Sequence, residues 1–348
     1  MTTLQLGHLT SAVQLGFIVG SLTIALSGIA DRISASRIFT TTAIFGAVMN
    51  ASFVLCNGNF SIALLTRFAI GLALAGIYPI GMKLIVSWVP ERAGNALGWM
   101  VGLSLVGTGL PHLIRGSGLT PNWQFVLYAS SFFAILGGLL IRRLGDGPHH
   151  VTTSRTQSGS AVSVFAIAEY RAAALGYFGH MWELFAFFAL LPFLIAASGV
   201  FSSNAVYLGS FATFFLSGLG CVIGGFLSRK ISGARIAIAA LAGSCVMCLV
   251  VPFIFEVSAA SVMLALFLWG MFASADSPQF SALAANACPA ERVGGALALM
   301  NSIGFAITII SIEIVTALWD VMQFRVVWLL LPGPLFGLFA MRRLWHAK

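Results

Sequence analysis

His180 and Glu183 stand three positions apart within a long apolar stretch of the sequence. That spacing places both side chains on one face of a helix, one turn apart, and Tyr177 and Phe187 continue the same stripe. A carboxyl group beside an imidazole in apolar surroundings can bind and release a proton. The sequence therefore predicts a proton-binding or solute-binding pair, and the alternative is a hydrogen-bonded pair that only fixes helix packing.

Asp276 and Gln279 form a second candidate site. Asp276 precedes Pro278 by two residues in another apolar stretch, and a proline inside a helix frees a backbone carbonyl and can bend the chain. Freed backbone groups, a carboxylate and an amide then lie close together, which suits the binding of a solute or a proton. An aspartate that only caps the broken helix is the alternative.

Arg67 and Asn301 complete the set of candidate solute-binding residues. Arg67 is predicted to lie about 10 Å inside its helix from the outer end. It can bind an anionic solute or balance a buried acid, and the alternative is a side chain that extends its charge to the membrane interface. Asn301 suits a hydrogen bond between helices as well as a solute contact.

The composition defines the environment of these residues. The chain has 348 residues, of which 59% are hydrophobic and 8% are charged, against roughly 25% charged in an ordinary soluble domain. The mean hydropathy is +0.98. So few charges cannot cover a water-exposed surface, and the apolar runs are too long for the alternating strands of a barrel. The sequence therefore predicts an all-α polytopic membrane protein.

Eleven apolar segments are long enough for membrane helices. The polar stretch 143–168 is predicted to be a cytoplasmic linker between an N-terminal bundle of five helices, 1–142, and a C-terminal bundle of six, 169–348. The predicted helices span approximately 9–30, 37–57, 60–87, 94–116, 122–142, 171–199, 204–228, 234–256, 260–286, 293–317 and 324–343.

The net charge of +8 is a topology signal. Fifteen of the 18 lysines and arginines fall on one side of the predicted helices, and such a bias marks the cytoplasmic side. This distribution argues against a nucleic-acid partner. It predicts a multi-pass protein of the cytoplasmic (inner) membrane, with a cytoplasmic C-terminus and with Met1 on the outer side.

The two halves of the sequence contain related motifs. ADRISASR at 30–37 resembles SRKISGAR at 228–235, and ERAGNAL at 91–97 resembles ERVGGAL at 291–297. A glycine and a proline between them recur at the same displacement of about 199 residues, which predicts two parallel-repeat helical bundles. The helix at 171–199 has no partner in the first half. The repeat thus predicts a further helix upstream of Met1 and a complete fold of six plus six helices. The missing helix is explained either by a start-site error or by a real truncation.

These features resemble the major facilitator superfamily over nearly the whole chain. The family carries a loop of the form Gly-x-x-x-Asp-Arg-x-Gly-Arg-Arg after its second helix, and here Asp31 and Arg32 match, with Arg37 just beyond. Its fourth helix often contains an arginine followed by a glycine, as Arg67 and Gly71 do. The glycine-rich fifth helix typical of its exporters is only partly matched.

The resemblance implies secondary active transport of a small solute by alternating access between two helical halves, commonly driven by protons. His180 and Arg67 favour a small anion or an organic acid as the solute. Export of apolar compounds and a truncated, non-transporting sensor are the alternatives. An enzyme is not predicted, because the sequence has no HExxH, GxSxG or Walker lysine loop, and no metal or other cofactor is predicted.

Charged residues at the predicted cytoplasmic helix ends are candidates for a gate. Such charges can pair across helices when the inner side is closed, at about 1 kcal/mol or less for each exposed pair, so several must act together. Plain positive-inside anchoring is the alternative. The candidate gate residues are Asp31, Arg32, Arg37, Glu91, Arg92, Arg229, Lys230, Glu291 and Arg292.

Overall fold

The computed structural model describes residues 3–56, 58–119, 121–149, 161–254 and 257–345, and their side chains except at 3–7, 10, 31 and 161. This part of the chain contains helices and turns and no β-strand, which confirms the all-α prediction. Its α-helices are α1 Thr3–Ser27, α2 Ile29–Arg32, α3 Ala35–Ser52, α4 Phe60–Ala75, α5 Tyr78–Trp88, α6 Ala93–Gly116, α7 Trp123–Leu144, α8 Ala168–Ala197, α9 Ser203–Leu227, α10 Gly233–Ile254, α11 Ala259–Ala275, α12 Ser277–Ala287, α13 Val293–Ala317, α14 Trp319–Met322 and α15 Pro332–Met341.

Short 3-10 segments connect or extend several of these helices. They are Phe53–Cys56, Pro90–Arg92, Ala161–Ala166, Ala290–Arg292, Gln323–Leu330 and Arg342–Trp345. Several helices begin at a polar residue whose side chain accepts hydrogen bonds from the first backbone N–H groups of the helix. Asn59 accepts from two backbone N–H groups of α4, and Ser202 and Ser258 each accept one at the starts of α9 and α11.

Within the described residues, ten helical segments are both long enough and apolar enough to cross a bilayer. The first of the eleven predicted helices, α1, has a shorter described apolar part, Ser11–Ser27. Three of the ten segments combine two α-helices, namely α4 with α5, α11 with α12, and α14 with α15. The chain is therefore a multi-pass membrane protein.

The repeat seen in the sequence recurs in the backbone. The break between α4 and α5 lies at Gly76 and Ile77, just before Pro79, and the break between α11 and α12 lies at Asp276, just before Pro278. Each broken pair is followed by a 3-10 turn that leads into a long helix, α6 or α13. Related sequences thus form related local structures in both halves.

Contacts along the chain define two compact units. The first consists of Met1–Glu91, Pro121–Ile167 and Ala285–Ala306. Within it α1 packs on α4 and α3 packs on α7. The backbone N–H of Ser36 donates to Asp146 Oδ1 at 2.7 Å, which ties the start of α3 to the chain after α7.

The second unit consists of Arg92–Thr120, Ala168–Ala284 and Ile307–Lys348. Within it α6 packs along α9, and α8 packs on α15. Its core is a cluster of buried apolar side chains that come mainly from α8, α11 and the 3-10 segment Gln323–Leu330, with Phe187 and Trp269 among the largest. Close van der Waals packing of this kind stabilises helices in a bilayer, where water does not drive their association.

Replacing Asn50 by alanine is expected to lower the free energy of unfolding by about 1 kcal/mol. Its amide Nδ2 on α3 donates to Leu127 O, Ser130 Oγ and Ser131 Oγ on α7 at 3.0–3.1 Å, so the substitution removes the polar link between these helices. Thermal unfolding in detergent measures the effect. Ser130→Ala is the matched control, since two acceptors remain, and equal losses in both variants would contradict this role.

Candidate functional site, a buried cluster of acids and histidine

The long helix α8 positions His180 and Glu183. Both lie on the buried face of this 30-residue helix, and each side chain is 1% exposed. Tyr177 and Phe187 are buried on the same face, as the predicted stripe requires. The sequence spacing therefore becomes a row of polar and aromatic side chains inside the second unit.

The break between α11 and α12 brings Asp276 to this row. Asp276 is the residue after the last turn of α11, and its side chain is 0% exposed. Its Oδ1 lies 2.9 Å from Nδ1 of His180. The two side chains are thus within ion-pair distance, and among the described residues neither carboxylate oxygen has a well-aligned hydrogen bond. Two sites that the sequence suggested separately thus form one cluster.

Glu183 has two partners that sequence analysis did not identify. The indole N–H of Trp269 on α11 donates to Glu183 Oε1, and the thiol of Cys248 on α10 donates to the same oxygen at 3.8 Å. Trp269 precedes Asp276 by seven residues, two helical turns on the same face, and that spacing was the available signal. Cys248 belongs to a lone CxxC and gave no such signal.

Aromatic rings enclose the cluster. The His180 ring lies 5.8 Å from that of Tyr177 and 5.6 Å from that of Phe280, measured between centroids. The rings of Phe187 and Trp269 are 4.7 Å apart. These rings exclude water and lower the local dielectric, which strengthens each electrostatic interaction of the acids.

Several polar atoms of the site lack a partner within the described structure. They are His180 Nε2, Asp276 Oδ2 and Gln279 Nε2. A buried polar group without a hydrogen bond costs about 1–3 kcal/mol, and such groups are rare in native proteins. They are therefore suited to bind a proton, a water molecule or a polar solute. No group of three or more metal-ligating side chains is found among the residues that the structure describes.

Arg67 and Asn301 lie in the first unit, whereas the acid–histidine cluster lies in the second. The Arg67 guanidinium is partly buried and stacks over the Phe53 ring, 4.2 Å from its centroid. The Asn301 side chain is buried and its Nδ2 donates to the Leu297 carbonyl of its own helix at 2.8 Å. Their roles in solute binding stay predictions.

The candidate gate residues occupy turns and helix ends. The side chain of Asp31 lies outside the described residues, and Arg32, Arg37, Glu91, Arg92, Arg229 and Lys230 are exposed. Glu91 and Glu291 have no lysine or arginine partner within 4 Å among the side chains described. Arg292 Nη1 donates to Ser163 Oγ in the linker at 2.9 Å. Their role in gating stays a prediction.

Comparison with known proteins identifies the class. The sequence profile described as Major Facilitator Superfamily matches residues 1–312. The chain belongs to this superfamily, and it is a secondary transporter rather than an enzyme. No curated protein sequence matches it.

Solved structures of low identity share the fold. The E. coli fucose:proton symporter FucP is 15% identical with a TM-score of 0.75, over 98% of this chain and 91% of that one. The human organic anion transporter TETRAN is 17% identical with a TM-score of 0.75, over 96% and 83%. The proton:xylose symporter XylE is 13% identical with a TM-score of 0.73, over 99% and 86%.

Proposed function

We propose that this protein couples the movement of protons to the transport of a small anionic solute, such as an organic acid, across the cytoplasmic membrane by alternating access. The contact of His180 with Asp276 at 2.9 Å, one helical turn from Glu183, carries this proposal. Two of the similar structures are named as proton symporters, which is consistent with proton coupling.

The charges of the cluster explain how it would handle a proton. At their separation of 2.9 Å, His180 and Asp276 can share a proton. Glu183 has hydrogen-bond donors but no cation within 4 Å among the described residues, and an isolated charge in apolar surroundings is costly. In the proposed cycle Glu183 holds the proton while the site is sealed and releases it when water reaches the cluster.

Arg67 supports an anionic solute. Among the described side chains no carboxylate lies within 4 Å of its guanidinium, which is paired instead with the ring of Phe53. A guanidinium that stays charged and presents several N–H donors suits recognition of a carboxylate or phosphate. We propose that it supplies the positive charge for the solute, with Gln279, Tyr177 and Asn301 as further polar contacts.

The proposed topology follows from the distribution of basic residues. The C-terminus and the linker at 143–168 face the cytoplasm, and Met1 faces the outer side. The bundles at 1–142 and 169–348 are the proposed moving halves, with the charged gate residues at their cytoplasmic ends.

Purified protein in liposomes loaded with a pH-sensitive dye tests the function. Addition of small carboxylates and inorganic anions is expected to move protons faster than in empty liposomes for at least one solute. Proton movement with apolar compounds and none with anions would contradict the anionic class and favour the exporter alternative. Solute uptake with no proton movement would contradict the coupling.

A further inference from the structure

The two hydrogen-bond donors to Glu183 meet at one of its two carboxyl oxygens. The indole N–H of Trp269 and the thiol of Cys248 both donate to Oε1, and no donor to Oε2 is found among the residues that the structure describes. A protonated carboxyl group carries its hydrogen on one oxygen and accepts hydrogen bonds on the other. Since Oε1 already accepts two, the proton of Glu183 belongs on Oε2.

Packing holds the Trp269 side chain in place. Its side chain is the largest of the fully buried ones that are described, and its ring lies 4.7 Å from that of Phe187 between centroids. The helix that carries it, α11, packs on α9 and α10 and contacts α8. An indole has a single N–H donor and no acceptor, so a buried tryptophan directs its only polar group at one partner. Here that partner is Glu183.

A donor at Oε1 matters most when Glu183 is ionised. A carboxylate in apolar surroundings is costly, and a hydrogen bond donated to the charged form offsets part of that cost. Hydrogen bonds to a charged group are roughly twice as strong as those between neutral groups. Without the indole, Glu183 would therefore keep its proton up to a higher pH and release it less readily.

Few other titratable groups surround Glu183. They are His180 of α8, Asp276 at the end of α11, and Cys245 and Cys248 of α10. On α9 Cys221 acts on Asp276 instead, and α15 contains no titratable residue. The arginines of the 3-10 segments Gln323–Leu330 and Arg342–Trp345 are exposed. Because His180 contacts Asp276 and a thiol is a weak donor, the indole is the strong donor in direct contact with Glu183.

We propose that Trp269 is a positioning residue for proton release, whose N–H holds Oε1 of Glu183 and stabilises the ionised form while Oε2 is the oxygen that carries the proton. This inference rests on the proposed proton coupling and adds the residue that makes release possible. Trp269 and Asp276 stand two helical turns apart along α11. A shift of α11 against α8 would therefore change the contacts of both acids together.

Infrared spectroscopy of the full chain in nanodiscs, at a series of pH values, tests this role of Trp269. The band of the protonated Glu183 carboxyl group is identified by its loss in Glu183→Gln. Trp269→Phe keeps an aromatic ring against Phe187 but has no N–H. In this variant the pH at which half of the band is lost should rise by about one unit. The C=O frequency of the band should also rise, because Oε1 loses its strong donor.

Trp182→Phe is the matched control. Trp182 Nε1 donates to the Leu329 carbonyl at 2.9 Å, so this variant also removes an indole hydrogen bond of the second unit, but none to Glu183. It should leave both the midpoint and the frequency of the Glu183 band unchanged. Cys248→Ala removes the weaker donor and should raise the midpoint by less than Trp269→Phe does.

The outcomes separate this inference from the proposed function. The unmodified protein, which needs no variant to fold, should show the low C=O frequency of a hydrogen-bonded carboxyl group, and the frequency of a free one would overturn the inference. An unshifted midpoint in Trp269→Phe, or equal shifts in both tryptophan variants, would overturn it and leave the proton coupling intact. A Glu183 that stays ionised at every pH would overturn both.

Discussion

Glu183→Gln is expected to abolish proton-driven accumulation of the solute while exchange of solute for solute continues. Glutamine keeps the size of the side chain and can still accept a hydrogen bond from Trp269, but it cannot carry a proton. One proton per solute sustains about tenfold accumulation for each unit of pH gradient, since 1.4 kcal/mol corresponds to a factor of ten. The variant should bring the accumulation ratio to about one.

Liposomes with an imposed pH gradient, compared with liposomes preloaded with solute, separate the two activities. Glu313→Gln is the matched control, because Glu313 is an exposed acid of α13 outside the cluster, and its accumulation should match that of the unmodified protein. Accumulation against a gradient by Glu183→Gln would contradict the assigned proton role. Loss of exchange together with accumulation would show that Glu183 acts in solute binding or folding instead.

Gly102→Leu is expected to prevent correct packing of the second unit. The backbones of α6 and α9 approach so closely that a Cβ at Gly102 would lie 2.6 Å from the Gly218 carbonyl oxygen and 3.2 Å from Val222 Cγ2. The clash is with backbone, which cannot rotate away. Overpacking costs about 1–3 kcal/mol even where side chains can adjust, so a larger loss of stability is expected here. Size-exclusion chromatography and thermal unfolding measure it.

Gly107 provides a control on the same helix. Nothing in the described structure lies within 4 Å of a Cβ placed there, so Gly107→Leu should fold and should gain slightly in helix propensity. Equal behaviour of the two variants would contradict the close approach of α6 and α9. A fully stable Gly102→Leu protein would also contradict this close approach.

Much of the fold follows from local sequence. Length and hydropathy of the apolar runs predict the spanning helices, because each must satisfy its own backbone hydrogen bonds in the bilayer. Pro278 predicts the break at Asp276, because proline removes a backbone donor. The spacing of His180 and Glu183 predicts that they share one face of α8, because the helical repeat brings residues three positions apart to the same side.

Contacts between side chains that are far apart in the sequence depend on the tertiary structure. The sequence showed His180 and Asp276 as separate candidates, and only the packing of α8 against α11 brings them to 2.9 Å. The same packing makes Trp269 a donor to Glu183. Helical periodicity fixes which face a side chain occupies, but the partner of that face depends on how neighbouring helices fit together, and this fit is set by side-chain volumes summed over the whole unit.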